Sequence, residues 1–264
     1  MRPLIYFSYG VTKTGSTLAF HYVHALMERA GWDQSRLSEA ALGNAKMINY
    51  FDDLDDEMAR HLVAEVEERG TPVVLKTHQR PSATVARLID EGRAVGHACY
   101  RDPREVVLSM LDHGEKSRRI GAEVFSEIET MDDALASLRH QIDRLTDWLR
   151  LPQIIPLCYD DVAFAGAATV GRLAAQLGIE DVPEAVEREV KETRFTQFNK
   201  GAPARWRREM CVEDAERIAT EFRPMIRQLI RRRARLADAK TPVLGPAGQL
   251  RRIPRNAEAT AEAA

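Results

Sequence analysis

The sequence has little cysteine. Its three residues, Cys99, Cys158 and Cys211, lie far apart, without the spacing of a metal site or a disulfide framework. They suit a reducing compartment, with Cys99 and Cys158 inside apolar runs as small core residues. Long apolar runs are also missing: none approaches the roughly 20 residues a membrane helix needs. The chain enters an apolar, strand-like run by Pro3 and Leu4, with no charged leader and cleavage site, so no secretory signal is expected. Neither sign of charge is in excess, and a net charge of −2 gives no global reason to bind nucleic acid. No internal repeat is visible. These absences set the expectation of a soluble, cytoplasmic protein without a membrane span.

What remains is an ordinary globular composition, 44% hydrophobic and 30% charged over 264 residues, enough for one large or two small domains. Residues 3–9, 72–78, 94–100 and 153–159 read as short buried strands, although Pro156 weakens the last. Helical periodicity lies between them. Leu18, Tyr22, Val23 and Leu26 stripe a first helix, with Gly31 as its stop. Leu54, Met58, Leu62 and Val66 stripe a second, closed by Gly70. Ser82 caps a third, and Asp102-Pro103 opens a fourth as N-cap and first helical residue. Leu135 through Leu149 stripe a long helix, and the chain after 159 reads as helical, with a loop near 196–206 and a break at Pro224. Strands alternating with amphipathic helices predict an α/β fold, a central parallel sheet flanked by helices on both faces. Residues 1–238 form the expected domain. From 239 to 264 the chain is rich in Ala, Pro, Gly and charge without periodicity, and a flexible tail is expected.

In such folds ligands gather beyond the carboxyl ends of the strands. Four polar clusters fall there: the glycine loop, "KTH", "YRDP" and "YDD". The loop nearly spells a Walker A motif, Gly, four residues, Gly-Lys-Ser/Thr. Gly10, Gly15 and Thr17 fit, but Ser16 stands where the lysine belongs and Lys13 comes earlier. A glycine loop between strand and helix turns N–H groups and the helix dipole toward an anion. Thr14, Ser16 and Thr17 add hydroxyls, and Lys13 a charge. The same residues also fit a plain strand-to-helix turn. Arg101 at a strand end suits bidentate phosphate binding, with Ser109 eight residues on; it suits pairing with Asp102 or another carboxylate equally. Lys200 and Gly201 belong to a basic stretch around Trp206, which also fits a solvated turn.

In combination and in order, "TKTGST", "KTH", "YRDPREVVLS", "YDD" and "KG" followed by Trp resemble the PAPS-dependent sulfotransferases, PAPS being 3′-phosphoadenosine 5′-phosphosulfate. The resemblance spans residues 3 to about 210 and implies a P-loop-like three-layer sandwich. It also accounts for the broken Walker spelling, because a sulfuryl donor has no γ-phosphate and requires no metal. By that resemblance Lys13 neutralises the leaving phosphate, while Thr14, Gly15, Ser16 and Thr17 hold the 5′-phosphate. Arg101, Ser109, Lys200 and Gly201 bind the 3′-phosphate, and Tyr159 and Phe195 contact adenine, although both also fit a core position. The implied activity is sulfuryl transfer to a hydroxyl or amine of a small molecule, sugar or lipid.

The acceptor must lose a proton, and His78 is the best general base the chain offers, with Lys76 assisting at the sulfuryl group. A hydrogen-bonded strand-end histidine is the plainer alternative. His113 is expected just after the Ser109 helix, within reach of an acceptor. His21 and His24 have a metal-type spacing without a carboxylate partner, and His61, His97 and His140 read as structural or exposed. Residues 32–52 and 112–131 are the expected acceptor-side segments, the latter as a lid. The run "RRRAR" at 231–235 reads as a solvated helix end. Leu18 replaces the family's tryptophan and Asn199 its arginine. Two other readings stay open: a P-loop nucleotide or small-molecule kinase, with Asp160 as its magnesium carboxylate, and a non-catalytic sulfotransferase-like binding protein.

Overall fold

The alternation read from the sequence is present in the computed structural model, which describes residues 4–43, 47–180, 182–194, 202 and 204–227. In chain order the elements are β1 (Ile5–Gly10), α1 (Ser16–Arg29), α2 (Glu39–Leu42), α3 (Asp56–Arg69), β2 (Val73–Thr77), α4 (Ala83–Asp90), β3 (Ala94–Tyr100), α5 (Pro103–Ile120) and α6 (Met131–Arg150). They continue as β4 (Ile154–Cys158), α7 (Tyr159–Phe164), α8 (Gly166–Leu177), α9 (Pro183–Glu189), a π-helical turn (Val190–Arg194), α10 (Trp206–Glu209) and α11 (Val212–Glu221). Phe195, Asn199, Lys200, Gly201, the 231–235 run and the 239–264 tail lie outside the described residues.

The four strands are all parallel, in the order β2-β1-β3-β4. Alternation along β1 divides the core. Ile5, Phe7 and Tyr9 pack with α3, α4, α5 and α6, while Tyr6 packs with α1, α8 and α9. Helices therefore cover both faces, which is why the strands read as continuous apolar runs. The sheet is a three-layer sandwich, and its order reverses beside β1. The crevice between β1 and β3, at the carboxyl ends, is where an open parallel sheet receives a ligand.

Local chemistry sets the helix ends. The Asp102 side chain accepts from Arg104 N with Pro103 in the first turn, and Ser82 accepts from Val85 N. Gly70 closes α3 in the left-handed conformation. Pro156 is tolerated because β4, paired with β3, is an edge strand among the described residues. Inside the second core layer, His97 is fully buried between Tyr6 OH at 3.1 Å and Ser8 Oγ at 3.0 Å. Tyr6 OH donates onward to Gln176 Oε1, so it accepts from His97 Nδ1–H. Burial pulls this imidazole down to about 3 and keeps it neutral.

One expected boundary moves. Helix α5 continues to Ile120, so residues 112–120 are helical and only the segment after Gly121 is loop. Gly114 allows close packing inside this helix: a Cβ there would lie 2.2 Å from the Ile128 carbonyl oxygen. No helix among the described residues is long and apolar enough to cross a membrane.

Candidate active site

The loop from Val11 to Gly15 joins β1 to α1 at the reversal of strand order. Gly10 permits this tight return, since a Cβ there would meet the Ser16 Cβ at 2.5 Å. Gly15 has φ 75° and lies under the Tyr159 ring, 3.1 Å from where its Cβ would be. It is also the N-cap of α1, with no side-chain cap, so first-turn N–H groups are left for another acceptor. The Thr14 hydroxyl is committed to the loop itself, donating to Val11 O at 2.5 Å. Its proton is therefore used within the loop, whereas Ser16 and Thr17 open α1.

Strand β2 pairs in register with β1, Ser8 opposite Lys76 and Tyr9 opposite Thr77, and this register delivers the "KTH" end to the loop. Lys76 is buried and donates from Nζ to Thr17 Oγ1 at 2.7 Å. Burial lowers its ammonium to about 8. His78 follows the strand with Nδ1 2.7 Å from Gly10 O. A carbonyl only accepts, so Nδ1 carries the proton and Nε2 the lone pair. Burial and the Lys76 charge push this imidazole down to about 4, against the opposing Gly10 bond. Helix α6 fixes the same turn: Arg144 donates to His78 O at 3.2 Å and Trp148 Nε1 to Gln79 O at 2.8 Å. From the other side, residues 49–51 run beside β2, bridging Tyr50 to Lys76 and placing the Tyr50 ring 6.2 Å from His78.

Across the crevice, Arg101 leaves the end of β3. Its guanidinium stacks 3.8 Å from the Tyr159 ring centre, donates to Lys13 O at 3.4 Å and pairs with Glu105 at 2.8 Å. Both partners of that ion pair are more than nine-tenths buried. The carboxylate that Arg101 meets here is Glu105; Asp102 pairs with Arg104. Tyr159, expected at adenine, lies between this guanidinium and Gly15. Glu105 also accepts from Trp206 N at 3.0 Å, Arg104 stacks 3.6 Å from the Trp206 ring centre, and Arg205 pairs with Asp112 at 2.8 Å. Residues 205 and 206 are thus docked on α5.

Glu105, Ser109 and His113 follow one another at four-residue spacing on α5, one stripe of a helix. Glu105 touches Arg101, buried Ser109 lies between, and His113 Nδ1 is 3.1 Å from Lys13 Nζ. Lys13 has φ 66°, uncommon for a side-chain-bearing residue. Gln141 on α6 steadies the loop, accepting from Thr12 N at 2.7 Å.

Four buried side-chain polar atoms among the described residues lack a partner; two of them are Thr12 Oγ1 in this loop and Arg101 Nε beside it. Orphaned donors are rare in native interiors, and these two suit an anion. Lys13, Thr14, Gly15, Ser16, Thr17, Lys76, His78, Arg101 and Tyr159 are thereby connected through direct contacts at one crevice. Ser109 joins through its helix. Glu105, Gln141, Arg144 and the orphaned Thr12 hydroxyl were not singled out as binding groups from the sequence, and His113 was placed near an acceptor, not at Lys13. The four-residue spacing of Glu105, Ser109 and His113 was the available signal. His24 pairs with Glu28, and the described residues hold no cluster fit for a metal.

No protein-family model matches the chain, and no curated protein matches its sequence. Solved structures do match. Retinol dehydratase in complex with androsterone and the inactive cofactor PAP aligns with a TM-score of 0.57 and 15% identity, over 85% of this chain and 81% of that one. A mouse sulfotransferase complexed with PAP gives a TM-score of 0.53 and 14% identity, over 84% of this chain and 86% of that one. The likeness is one of fold, and the P-loop-like sulfotransferase architecture expected from the sequence is present.

Proposed function

We propose that the chain moves a sulfuryl group from PAPS to a hydroxyl or amine and releases 3′,5′-ADP, the PAP of the neighbouring structures. One observation carries the reading: β2 brings an ammonium and a neutral imidazole to the same anion loop, Lys76 at Thr17 and His78 at Gly10. When bound, PAPS supplies a sulfuryl group already attached to a phosphate leaving group. The first-turn N–H groups from Gly15 to Thr17 hold the 5′-phosphate, and Lys13 balances charge on the departing oxygen. Lys76 offers a second cation at the transferred group. His78 Nε2, free because Nδ1 is engaged, takes the proton of the acceptor. An anion beside Lys76 offsets the charge that depresses His78, raising its basicity. Arg101 and Ser109 hold the 3′-phosphate with Lys200 and Gly201, and Tyr159 and Phe195 flank the base.

The same proposal comprises one domain over residues 1–238, a cytoplasmic location, no metal requirement, and a small-molecule, sugar or lipid acceptor. A kinase is less well supported, because the Thr17 hydroxyl that would meet magnesium takes Lys76 instead, and Asp160 is exposed on α7. The buried Arg101–Glu105 pair favours a second reading, a nucleotide binder without turnover. Calorimetric titration with 3′,5′-ADP and with AMP, both in EDTA, tests the site. Tight 3′,5′-ADP binding with a large loss for AMP is expected. Equal weak binding, restored by ATP with magnesium, would turn the assignment to a kinase.

A further inference from the structure

We propose that His113 is a positioning residue, whose imidazole accepts a hydrogen bond from the Lys13 ammonium and sets where that ammonium points. The inference rests on the sulfotransferase reading of the site. Its starting point is the 3.1 Å contact between Lys13 Nζ and His113 Nδ1. A lysine ammonium has donors and no acceptor. His113 must therefore offer its Nδ1 lone pair and carry its proton on Nε2. His78 has the opposite arrangement, with Nδ1 donating to Gly10 O. The two histidines differ accordingly in what they can do. The lone pair of His78 is free for an acceptor's proton, whereas the lone pair of His113 is used on Lys13.

The surroundings hold His113 and Lys13 in this relation. The Phe125 ring stands edge-on to His113 at 5.1 Å, and Lys13 Nζ lies 5.5 Å from the centre of the same ring. Phe125 is fixed by its own loop, which is laced to α5. Ser117 Oγ donates to Val124 O, and Arg118 donates to both Ser126 O and Ile128 O. Gly114 packs directly on the backbone of that loop. The left-handed backbone of Lys13 restricts the other end. An ammonium has three N–H donors, so one bond to His113 leaves donors for the oxygen that leaves with the phosphate.

Charge around the pair favours a neutral His113. Lys13 faces it from the glycine loop, Lys116 from the next turn of α5, and Asp112 and Arg101 act on Lys13 from α5 and the end of β3. Burial, Lys13 and Lys116 all lower the His113 imidazole below its ordinary value. Protonation would place two cations in contact and free the lysine, so turnover should lose Lys13 guidance as pH falls below the ordinary histidine range.

The test follows 3′,5′-ADP formation from PAPS, with water alone and with a panel of hydroxyl and amine acceptors, in the full chain. His113→Phe, His113→Asn, Lys13→Met and the His113→Phe/Lys13→Met double variant are compared with the wild type, each checked for folding by thermal melting. His113→Phe should lower kcat about 10- to 100-fold, the size of one charge-assisted hydrogen bond, with a much smaller change in KM for PAPS. His113→Asn, which keeps an acceptor oxygen that does not titrate, should recover most of the rate and flatten the acid limb. In the Lys13→Met background His113→Phe should have almost no further effect. An active wild type in which the two substitutions act independently, or His113→Phe is silent, overturns the positioning role alone. A wild type that neither binds 3′,5′-ADP nor consumes PAPS overturns the functional reading, and the role with it.

Discussion

The two ends of the crevice are built differently. At the loop end, Lys13 and Lys76 contact neutral acceptors, an imidazole and a hydroxyl, and keep their charge for a ligand. At the β3 end, Arg101 is already paired with buried Glu105 and stacked on Tyr159. An anion reaching the first end meets positive charge directly. One reaching the second must compete with a carboxylate that also holds Trp206 N. In the proposed sulfotransferase the loop end carries the chemistry, while the β3 end would couple ligand recognition to the docking of residues 204–209 on α5.

The sharpest break of this comparison is His78→Ala. Loss of a positioned base should reduce kcat about 10²- to 10⁴-fold, with 3′,5′-ADP affinity changed only a few-fold; near-normal turnover in a purified assay would place the base elsewhere. At the β3 end, Arg101→Ala leaves Glu105 buried without its cation, so a stability loss of about 3–5 kcal/mol is expected in denaturant unfolding. Glu105→Gln separates structure from binding there. It keeps an acceptor for Trp206 N but releases Arg101, and should tighten 3′,5′-ADP relative to AMP by about 3- to 10-fold. Unchanged selectivity would show that Arg101 does not meet the 3′-phosphate. The smallest effect concerns protons. His78 is held near 4, below the ordinary 6.5, and a bound anion raises it. Binding should then take up a fraction of a proton, and falling pH in that window should favour the wild type over His78→Ala. Calorimetry in two buffers of different ionisation enthalpy reads this directly, and equal proton uptake by both proteins would contradict it.

Many residues that line the crevice were legible along the chain, because strand ends and loops are contiguous. Gly10 to Thr17, Lys76 to His78 and Arg101-Asp102-Pro103 each form a short segment with its own signature. What escaped was pairing between segments. Glu105 lies inside "YRDPREVVLS", but nothing local says that Arg101 turns back to it and not outward. From the sequence, His113 was placed just after the Ser109 helix. A glycine packed on the Ile128 carbonyl instead lets α5 continue, and this carries His113 to Lys13. Gln141 and Arg144 are separated from the residues they hold by long stretches of chain, and the helical periodicity around them marked only the apolar stripe.

The amino-acid order by itself determined the alternation of strands and helices, the capped ends at Ser82 and Asp102, and the location of polar clusters beyond the strands. These follow from backbone sterics, capping and the burial of apolar faces, all of which act over a few residues. Tertiary structure alone decided which charges are neutralised and which lone pairs remain. Parallel pairing brings Lys76 to Thr17 and His78 to Gly10, while packing of α5 against β3 and the loop ties up Arg101 and engages His113. Electrostatics at this range depends on a few ångströms of separation and on exclusion of water, and only the folded arrangement sets both.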